Sequence, residues 1–378
     1  MPYVIRGSLK DYDWGVIDGL VPWLGQATGG PQAELWFGAH AAGPAPLVLD
    51  DQESRLQGNA EAAPAGAHLA QVAKAEDVPL LVKILAADRP LSVQVHPNAD
   101  LAARVFAGQS APGALQVYAD PFEKTELLLA LTPFTAFCGW RSQDDAESIL
   151  RSVVGAGEAV DALHSGDRRA SLRALLAIRD LDAALASLPL AMFTHPDRAT
   201  FARVSDAFPG DRGVLLLVLL AVETLAPGDA VFVPAGVPHS YVHGIGVEVM
   251  TSSDNVVRLG LTSKPVHVEQ ALAALSDTEV PTVIRGAESW IQPPGGPFAL
   301  CTIEGNASVP AAAGRYRLVL SLSGDAMVDV CSVQWTLPAG QALVVLADEP
   351  VVTVRSTGKA VLVSDVPANA VPEGERQR

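Results

Sequence analysis

The chain has 378 residues, 49% of them hydrophobic and 18% charged, with 26 basic against 42 acidic side chains and a formal net charge of -16. So apolar a chain can bury a large core, and its length suits roughly two or three domains, which excludes disorder as its main state. The acidic balance excludes nucleic acid and anionic membrane as main partners, because phosphate backbones are held by clustered Lys and Arg.

Only six residues are lysines, Lys10, Lys74, Lys83, Lys124, Lys264 and Lys359, so their placement decides whether a small anion can be held. Cys138, Cys301 and Cys331 are few, odd in number and set in apolar, strand-like text. They read as buried thiols of a reducing compartment, with no disulfide framework. The stretch Met1 to Lys10 lacks the features of a secretory signal. The apolar run Val214 to Val222 falls well short of the ~20 residues a membrane-spanning helix needs. The expectation is a soluble cytoplasmic protein without a membrane partner.

From Met1 to about Arg141 short apolar runs are broken by Gly, Pro and Asp, with β-strands expected at Leu80 to Leu85 and Glu126 to Leu131. Ser142 followed by Asp145 resembles an N-terminal capping box, and Ile149, Leu150, Val153 and Val154 come after it at helical spacing. A second helix is expected over Ser171 to Leu188, with Leu172, Leu175, Leu176 and Ile178 on one side. Pro189, Pro196 and Pro209 then punctuate shorter segments. Around Val214 the β texture returns, turns at Pro227-Gly228-Asp229, and resumes at Ala230 to Val233. Residues 142–212 therefore read as a helical insertion within a β domain made of 1–141 and 213–285. A second β domain, 286–378, carries strands expected at Arg315 to Leu322, Met327 to Val330, Val333 to Leu337, Ala342 to Leu346 and Ala360 to Val363. Regular short strands with turn signals suggest a sandwich or barrel. The polar tail from Pro367 to Arg378 is expected to fray.

The most informative stretch runs from Gly228 through Pro234-Ala-Gly236 to His239. Its form, G, five residues, P-x-G, two residues, H, resembles the second motif of the cupin barrels. A turn glycine starts a buried strand, Pro-x-Gly ends it, and the histidine points into the barrel mouth. Upstream, Gln94 and His96 are two apart on a strand-like segment and share a face. With Glu126, which heads a strand, and His239 they make a mixed nitrogen and oxygen set. Such a set suits catalytic Zn²⁺ better than a closed structural site, which would favour cysteines. The competing reading is that each polar residue is satisfied separately at a strand end.

Further segments match one family. Leu80-Leu-Val-Lys83-Ile-Leu, Leu91-Ser92-Val-Gln94-Val-His96-Pro97-Asn98, Lys124-Thr-Glu126, and Val247-Glu248 through Asp254-Asn255 and Arg258 to Lys264 resemble type I mannose-6-phosphate isomerases, also called phosphomannose isomerases. So do Tyr12-Asp-Trp14-Gly15 and Glu34-Leu-Trp36-Phe-Gly38-Ala-His40, and the matches run in order from residue 12 to about 270. The resemblance implies a zinc-dependent aldose-ketose isomerase that interconverts mannose 6-phosphate and fructose 6-phosphate through a metal-stabilised cis-enediol(ate). It implies one Zn²⁺ per chain held by Gln94, His96, Glu126 and His239. It also implies an active-site Arg258 and pocket residues Trp14, Lys83, Ser92, Lys124, Glu248, Asp254 and Lys264. The implied fold class is mainly β with an α insertion, a catalytic cupin interrupted by a helical domain and followed by a second cupin-like domain; monomer or weak homodimer is the expected assembly. Thr125 and Ala41 stand where the family commonly has proline, and neither change removes a functional side chain. Pro338-Ala-Gly340-Gln-Ala-Leu-Val-Val-Leu-Ala begins like the Gly228 segment but is not followed by that segment's closing Pro-x-Gly and histidine, so the second β domain reads as degenerate and without metal.

Interconverting a 2-hydroxy aldehyde and a 1-hydroxy ketone moves a proton between C2 and C1 and places charge on oxygen, which a metal can stabilise. Glu248, with Val247 and Val249 beside it, is the candidate base because it would stand alone among apolar groups. Lys124 is the alternative, and His40 could assist ring opening. Lys83, Ser92 and Lys264 form a candidate phosphate clamp, with Asp88 the bland partner for Lys83. Arg258 could serve phosphate or enediolate, or pair with Asp254. His243 is expected in a loop after the strand of His239; His164 and His195 fall in the helical block, and His68 and His267 have no constellation. Two other classes compete: a cupin metal oxygenase, which would not need the lysines and Arg258, and a non-catalytic sugar-binding double cupin, which would have degenerate ligands in both barrels.

Overall fold

The structure, a computed structural model, describes residues 2–48, 66–111, 113–286, 290–305 and 308–365; the tail expected to fray lies outside them. Strand residues outnumber helical ones among the described residues, as the sequence text suggests. No described helix is long and apolar enough to cross a membrane. The chain divides into two compact units, one made of Met1–Leu85, Val247–Ser252 and Ile284–Arg378, the other of Ala86–Gly246 and Ser253–Val283.

In the first unit a six-stranded antiparallel sheet runs in the order Tyr3–Arg6, Gln341–Val345, Arg317–Ser323, Lys359–Asp365, Phe298–Glu304, Trp290–Ile291. A second sheet orders Val309–Ala311, Val352–Ser356, Asp325–Val330 and Val333–Pro338. Asp325–Val330 and Val352–Ser356 alternate buried and open positions, the period of a strand with one face on a core. Val328, Leu337 and Val354 from this sheet share one core with Val319, Leu343 and Leu362 from the other. Asp325–Val330 and Val333–Pro338 form a hairpin with Val330 opposite Val333, so Cys331 and Ser332 make a two-residue turn with φ of 49° and 66°. Such turns need positive φ at both positions, and this tip leaves Cys331 exposed. The expectation of three buried thiols therefore holds for Cys138 and Cys301 only. The same unit carries Ser8–Lys10, Glu34–Phe37 and Leu80–Ala87 as antiparallel neighbours, with Trp36 opposite Lys83.

The second unit joins strands to a run of helices. Ser142, Asp167 and Asp180 accept hydrogen bonds from Asp145, Ala170 and Ala183 N–H respectively, capping three helices, Gln143–Leu150, Arg168–Leu176 and Leu181–Ala191. The single helix expected over Ser171 to Leu188 is thus two, because Asp180 starts a new one; Pro189 sits inside its last turns. The apolar run at Val214 begins as a short helix, Gly213–Leu216, and a 3-10 turn, and extends only from Leu220. A run buried on every side carries no period that separates strand from helix. His243 lies inside the long strand His239–Thr251, not in a loop, with a register shift beside it. Gly244, at φ 129° and with no room for a Cβ beside Phe134, absorbs the bend while the strand continues. Arg141 ends the Phe134–Trp140 strand and donates to Asp145 (2.6 Å) and Asp197 (2.7 Å), with His195 Nε2 at 3.2 Å, fixing the helices to that strand end.

Arg317 in the first unit is wholly buried and donates to four main-chain oxygens, those of Ala312, Leu346, Glu349 and Pro350. It supplies donors to carbonyls that the sheets leave unpaired. We expect Arg317→Met to lower the unfolding free energy by about 3 kcal/mol or more, since the four acceptors lose a charged partner. Urea denaturation followed by circular dichroism checks this, and a loss below about 1 kcal/mol would show that water or backbone shifts take the role over.

Candidate metal centre

Strand pairing in the second unit brings separated segments together. Gln94 is the register partner of both His239 and Arg258, and Glu126 stands opposite Val233. The Pro234-Ala-Gly236 turn supplies another link: Gly236 N–H donates to the His96 carbonyl (2.9 Å). Gly236 has φ 88°, and a Cβ there would lie 2.6 Å from that of Ser276, so both conformation and space require glycine.

His96, Glu126 and His239 are buried with ligand atoms all within 4.8 Å of one another. His96 Nδ1 donates to the Asn255 carbonyl (2.7 Å), and His239 Nδ1 to that of Val237 (3.0 Å). Both rings therefore present an Nε2 lone pair to the Glu126 carboxylate, at 3.1 Å and 3.4 Å. Two lone pairs facing a carboxylate are favourable only with a proton or cation among them, and His96 Nε2 is a buried polar atom without a hydrogen-bond donor. The donor chemistry fits a divalent ion of the zinc type, with main-chain carbonyls behind the rings fixing the tautomers.

Around this triad, Gln94 Nε2 lies 3.1 Å from His239 Nε2, and its Oε1 accepts from Ser92 Oγ (3.2 Å). Lys124, almost fully buried, places its ammonium 2.9 Å from Glu126 Oε1. Tyr241 OH donates to Glu126 Oε2 at 3.4 Å. Burial, the Lys124 ammonium and His239 push the His96 imidazolium down to about 4, outweighing the opposite pull of Glu126. Burial alone would raise Glu126, but the Lys124 ammonium beside it holds it well below its ordinary value. Near neutral pH the set is a carboxylate and a neutral His96, the states a metal needs.

Six of the residues named from sequence, Ser92, Gln94, His96, Lys124, Glu126 and His239, thus gather in one place. Arg258 is half-buried beside Gln94 in the sheet. Asp254 is exposed and donates its N–H to Asp120, while Lys264 is exposed after Thr262. The remaining four lie in the other unit. Trp14 stacks on Tyr12 with ring centroids 5.7 Å apart, and His40 meets the Trp36 ring edge-on at 5.3 Å. Lys83 pairs with Glu248 (3.0 Å) and, more loosely, with Glu34 (3.6 Å), whereas Asp88 meets Arg203. Glu248 is therefore not alone among apolar groups: its strand faces Lys83. Sequence reasoning gives no role to Glu34, whose other oxygen accepts from Trp36 Nε1 (2.7 Å). An acidic residue in a strand buried at every position is the available signal. It also misses Asn255, wholly buried behind His96.

Strand-rich units with a buried two-histidine, one-carboxylate group define the class of a metal-binding β protein. Residues 3–143 match the family model described as phosphomannose isomerase type I, catalytic domain. The chain is 33% identical to the mannose-6-phosphate isomerase of Escherichia coli, covering 93% of this chain and 96% of that one, and 29% identical to that of Rattus norvegicus, covering 88% of each. A solved mannose 6-phosphate isomerase bound with zinc and yttrium superposes with a TM-score of 0.79 at 30% identity, over 97% of this chain and 100% of that one. A structure of a variant phosphomannose isomerase from Salmonella typhimurium gives a TM-score of 0.80 at 30% identity, with the same coverage. The chain belongs to the type I phosphomannose isomerase family.

The protonation states carry a sign. Between about pH 6.5 and 4 the unfolded chain protonates His96 and the folded metal-free chain does not. Protonation then favours unfolding, so stability falls as pH drops through that window and is flat above it; the depressed Glu126 adds loss of the same sign at lower pH. Urea midpoints of metal-free protein at pH 4.5 to 7.5 should show this slope, and His96→Gln should flatten it. An equal slope in the variant would place the titration elsewhere.

Proposed function

We propose that the protein is a zinc-dependent mannose-6-phosphate isomerase interconverting the aldose with fructose 6-phosphate through a cis-enediol(ate). The observation that carries this reading is the buried His96, Glu126 and His239 group in a chain of this family. Gln94 is the proposed fourth ligand: turning its amide over presents Oε1, in place of the NH₂ group, on the side of His239. The two interchange by a half-turn about one bond. Bound there, the ion supplies Lewis-acid polarisation of the substrate's oxygens. Lys124, 2.9 Å from Glu126, keeps a positive charge beside the carboxylate and can donate a hydrogen bond to substrate oxygen.

In the isomerisation, the C2–H bond breaks as a base takes the proton, its electron pair forms the C1–C2 double bond, and the aldehyde oxygen takes up charge. Return of a proton to C1, with transfer of the O2 proton to the charged O1, gives the 1-hydroxy ketone. Glu248 is the proposed base. Its pairing with Lys83 recasts the lysine as the group that orients this carboxylate, and the phosphate clamp then rests on Ser92, Lys264 and Arg258. Trp14 and Asp254 are proposed to line the sugar site, and His40 to assist ring opening. The proposed architecture is a catalytic cupin with a helical insertion, followed by a degenerate cupin-like domain. The charge complement favours this over an oxygenase, since Lys83 and Lys124 are both buried and paired to carboxylates.

A coupled assay for fructose 6-phosphate formation tests the reading. Chelation with EDTA should abolish turnover and zinc should restore it; isomerisation that survives complete zinc removal would defeat the metal assignment. Glu248→Gln should lower kcat more than about tenfold with zinc content unchanged. Turnover within tenfold of the parent enzyme would remove Glu248 as the base.

A further inference from the structure

Behind the triad lies a closed polar network that none of the proposed roles uses. Asn255 is wholly buried, and its main-chain oxygen is the acceptor for His96 Nδ1. Its side chain reaches the other way. Oδ1 accepts from Ala119 N–H at 2.8 Å, and Nδ2 donates to the carbonyls of Asp120 (2.8 Å) and Phe122 (2.7 Å) and to Asp120 Oδ1 (3.0 Å). Asp120 closes the loop, accepting from Ser253 Oγ (2.9 Å) and Asp254 N–H (2.9 Å), while Ser253 Oγ accepts from Asn255 N–H (3.2 Å). The segment so gripped, residues 119–122, runs directly into Lys124 and Glu126.

We propose that Asn255 is a positioning residue, a latch that fixes the His96 ring with its carbonyl and the Lys124 to Glu126 segment with its side-chain amide. One residue thereby sets the spacing between two ligands that come from different segments of the chain. The chemistry demands an amide. Aspartate would turn an oxygen toward three acceptors, and alanine would leave buried N–H and C=O groups unpaired. In Asn255→Ala the carbonyl that meets His96 remains, but nothing ties it to residues 119–122. Outer-sphere partners of metal-bound histidines are commonly worth 10–100-fold in metal affinity.

The inference rests on the metal reading of the triad, and zinc affinity of the full-length metal-free protein, measured by competition with a chromophoric chelator, separates the two. Asn255→Ala, folded by circular dichroism at the assay temperature, should bind zinc about 10–100-fold more weakly than the parent. Ser253→Ala, which removes one support of Asp120 and of Asn255 N–H, should bind it several-fold more weakly and decides the matter if Asn255→Ala does not fold. Leu215→Ala, a cavity in the second unit's core, should lower stability while leaving zinc affinity unchanged, which distinguishes positioning from general loosening. Folded Asn255→Ala, or in its absence Ser253→Ala, with parental zinc affinity overturns the latch alone. A parent protein that takes up no zinc overturns the metal reading and the latch with it.

Discussion

The second unit is organised around one constraint, a carboxylate with 1% exposure at Glu126. Taking an ionised carboxylate out of water is costly unless charge and hydrogen bonds replace the water. Lys124 supplies the charge at 2.9 Å and Tyr241 OH a long hydrogen bond, while His96 and His239 face the same carboxylate. The tautomers add a second requirement. With both Nδ1 atoms committed to backbone carbonyls, the Nε2 atoms can only accept, and a carboxylate can only accept as well. Three acceptors pointing at one another repel unless a cation lies among them. Lys124 and Tyr241 offset the burial of Glu126, and the two histidines that face it with acceptors define a cation site.

Lysine placement shows how a chain carrying -16 can still concentrate positive charge where it matters. Lys83 and Lys124 are buried, and each is committed to carboxylates within its own unit, Lys83 to Glu248 and Glu34, Lys124 to Glu126. These ammonium groups act first as internal counter-ions. In the sequence alone, a lysine in an apolar strand suggests a wait for an external anion, because a buried unpaired ammonium is unfavourable. Text cannot reveal that the opposing strands bring their own anions, since Glu34 and Glu248 are far from Lys83 in the chain and meet it only through strand pairing.

The legible part of the fold is local. Strands such as Leu80–Ala87 and Glu126–Ala130 are apolar runs bounded by turn residues, and Pro234-Ala-Gly236 needs its glycine for reasons that a motif encodes. Ser142 reads as a cap because Asp145 follows it at capping-box spacing, whereas Asp180 falls within a continuing helical period, which merges two helices into one. Pairing is not legible: nothing in Tyr3–Arg6 announces that its neighbour is Gln341–Val345, more than three hundred positions away. The apolar run at Val214 carries no period, and the Gly244 bend within a continuing strand looks in text like a stop. The ligands are readable because side-chain type and same-face spacing suffice for them. Their supporting groups are not, because main-chain carbonyls leave no trace in residue identity.

The two hydrogen bonds that hold His96 make this last point general for the site. The carbonyl of His96 is held by Gly236 N–H, and its ring is held by the carbonyl of Asn255. The end of the Val93–Val95 strand is thus fixed at His96 by two segments that lie far along the chain, the turn preceding His239 and the turn preceding Arg258. Either turn holds His96, and the one at Asn255 also grips, through its side-chain amide, the approach to Glu126. Ligand geometry here is set less by the ligands' own strands than by where three turns meet. A side chain in such a turn can be indispensable while contacting neither metal nor sugar.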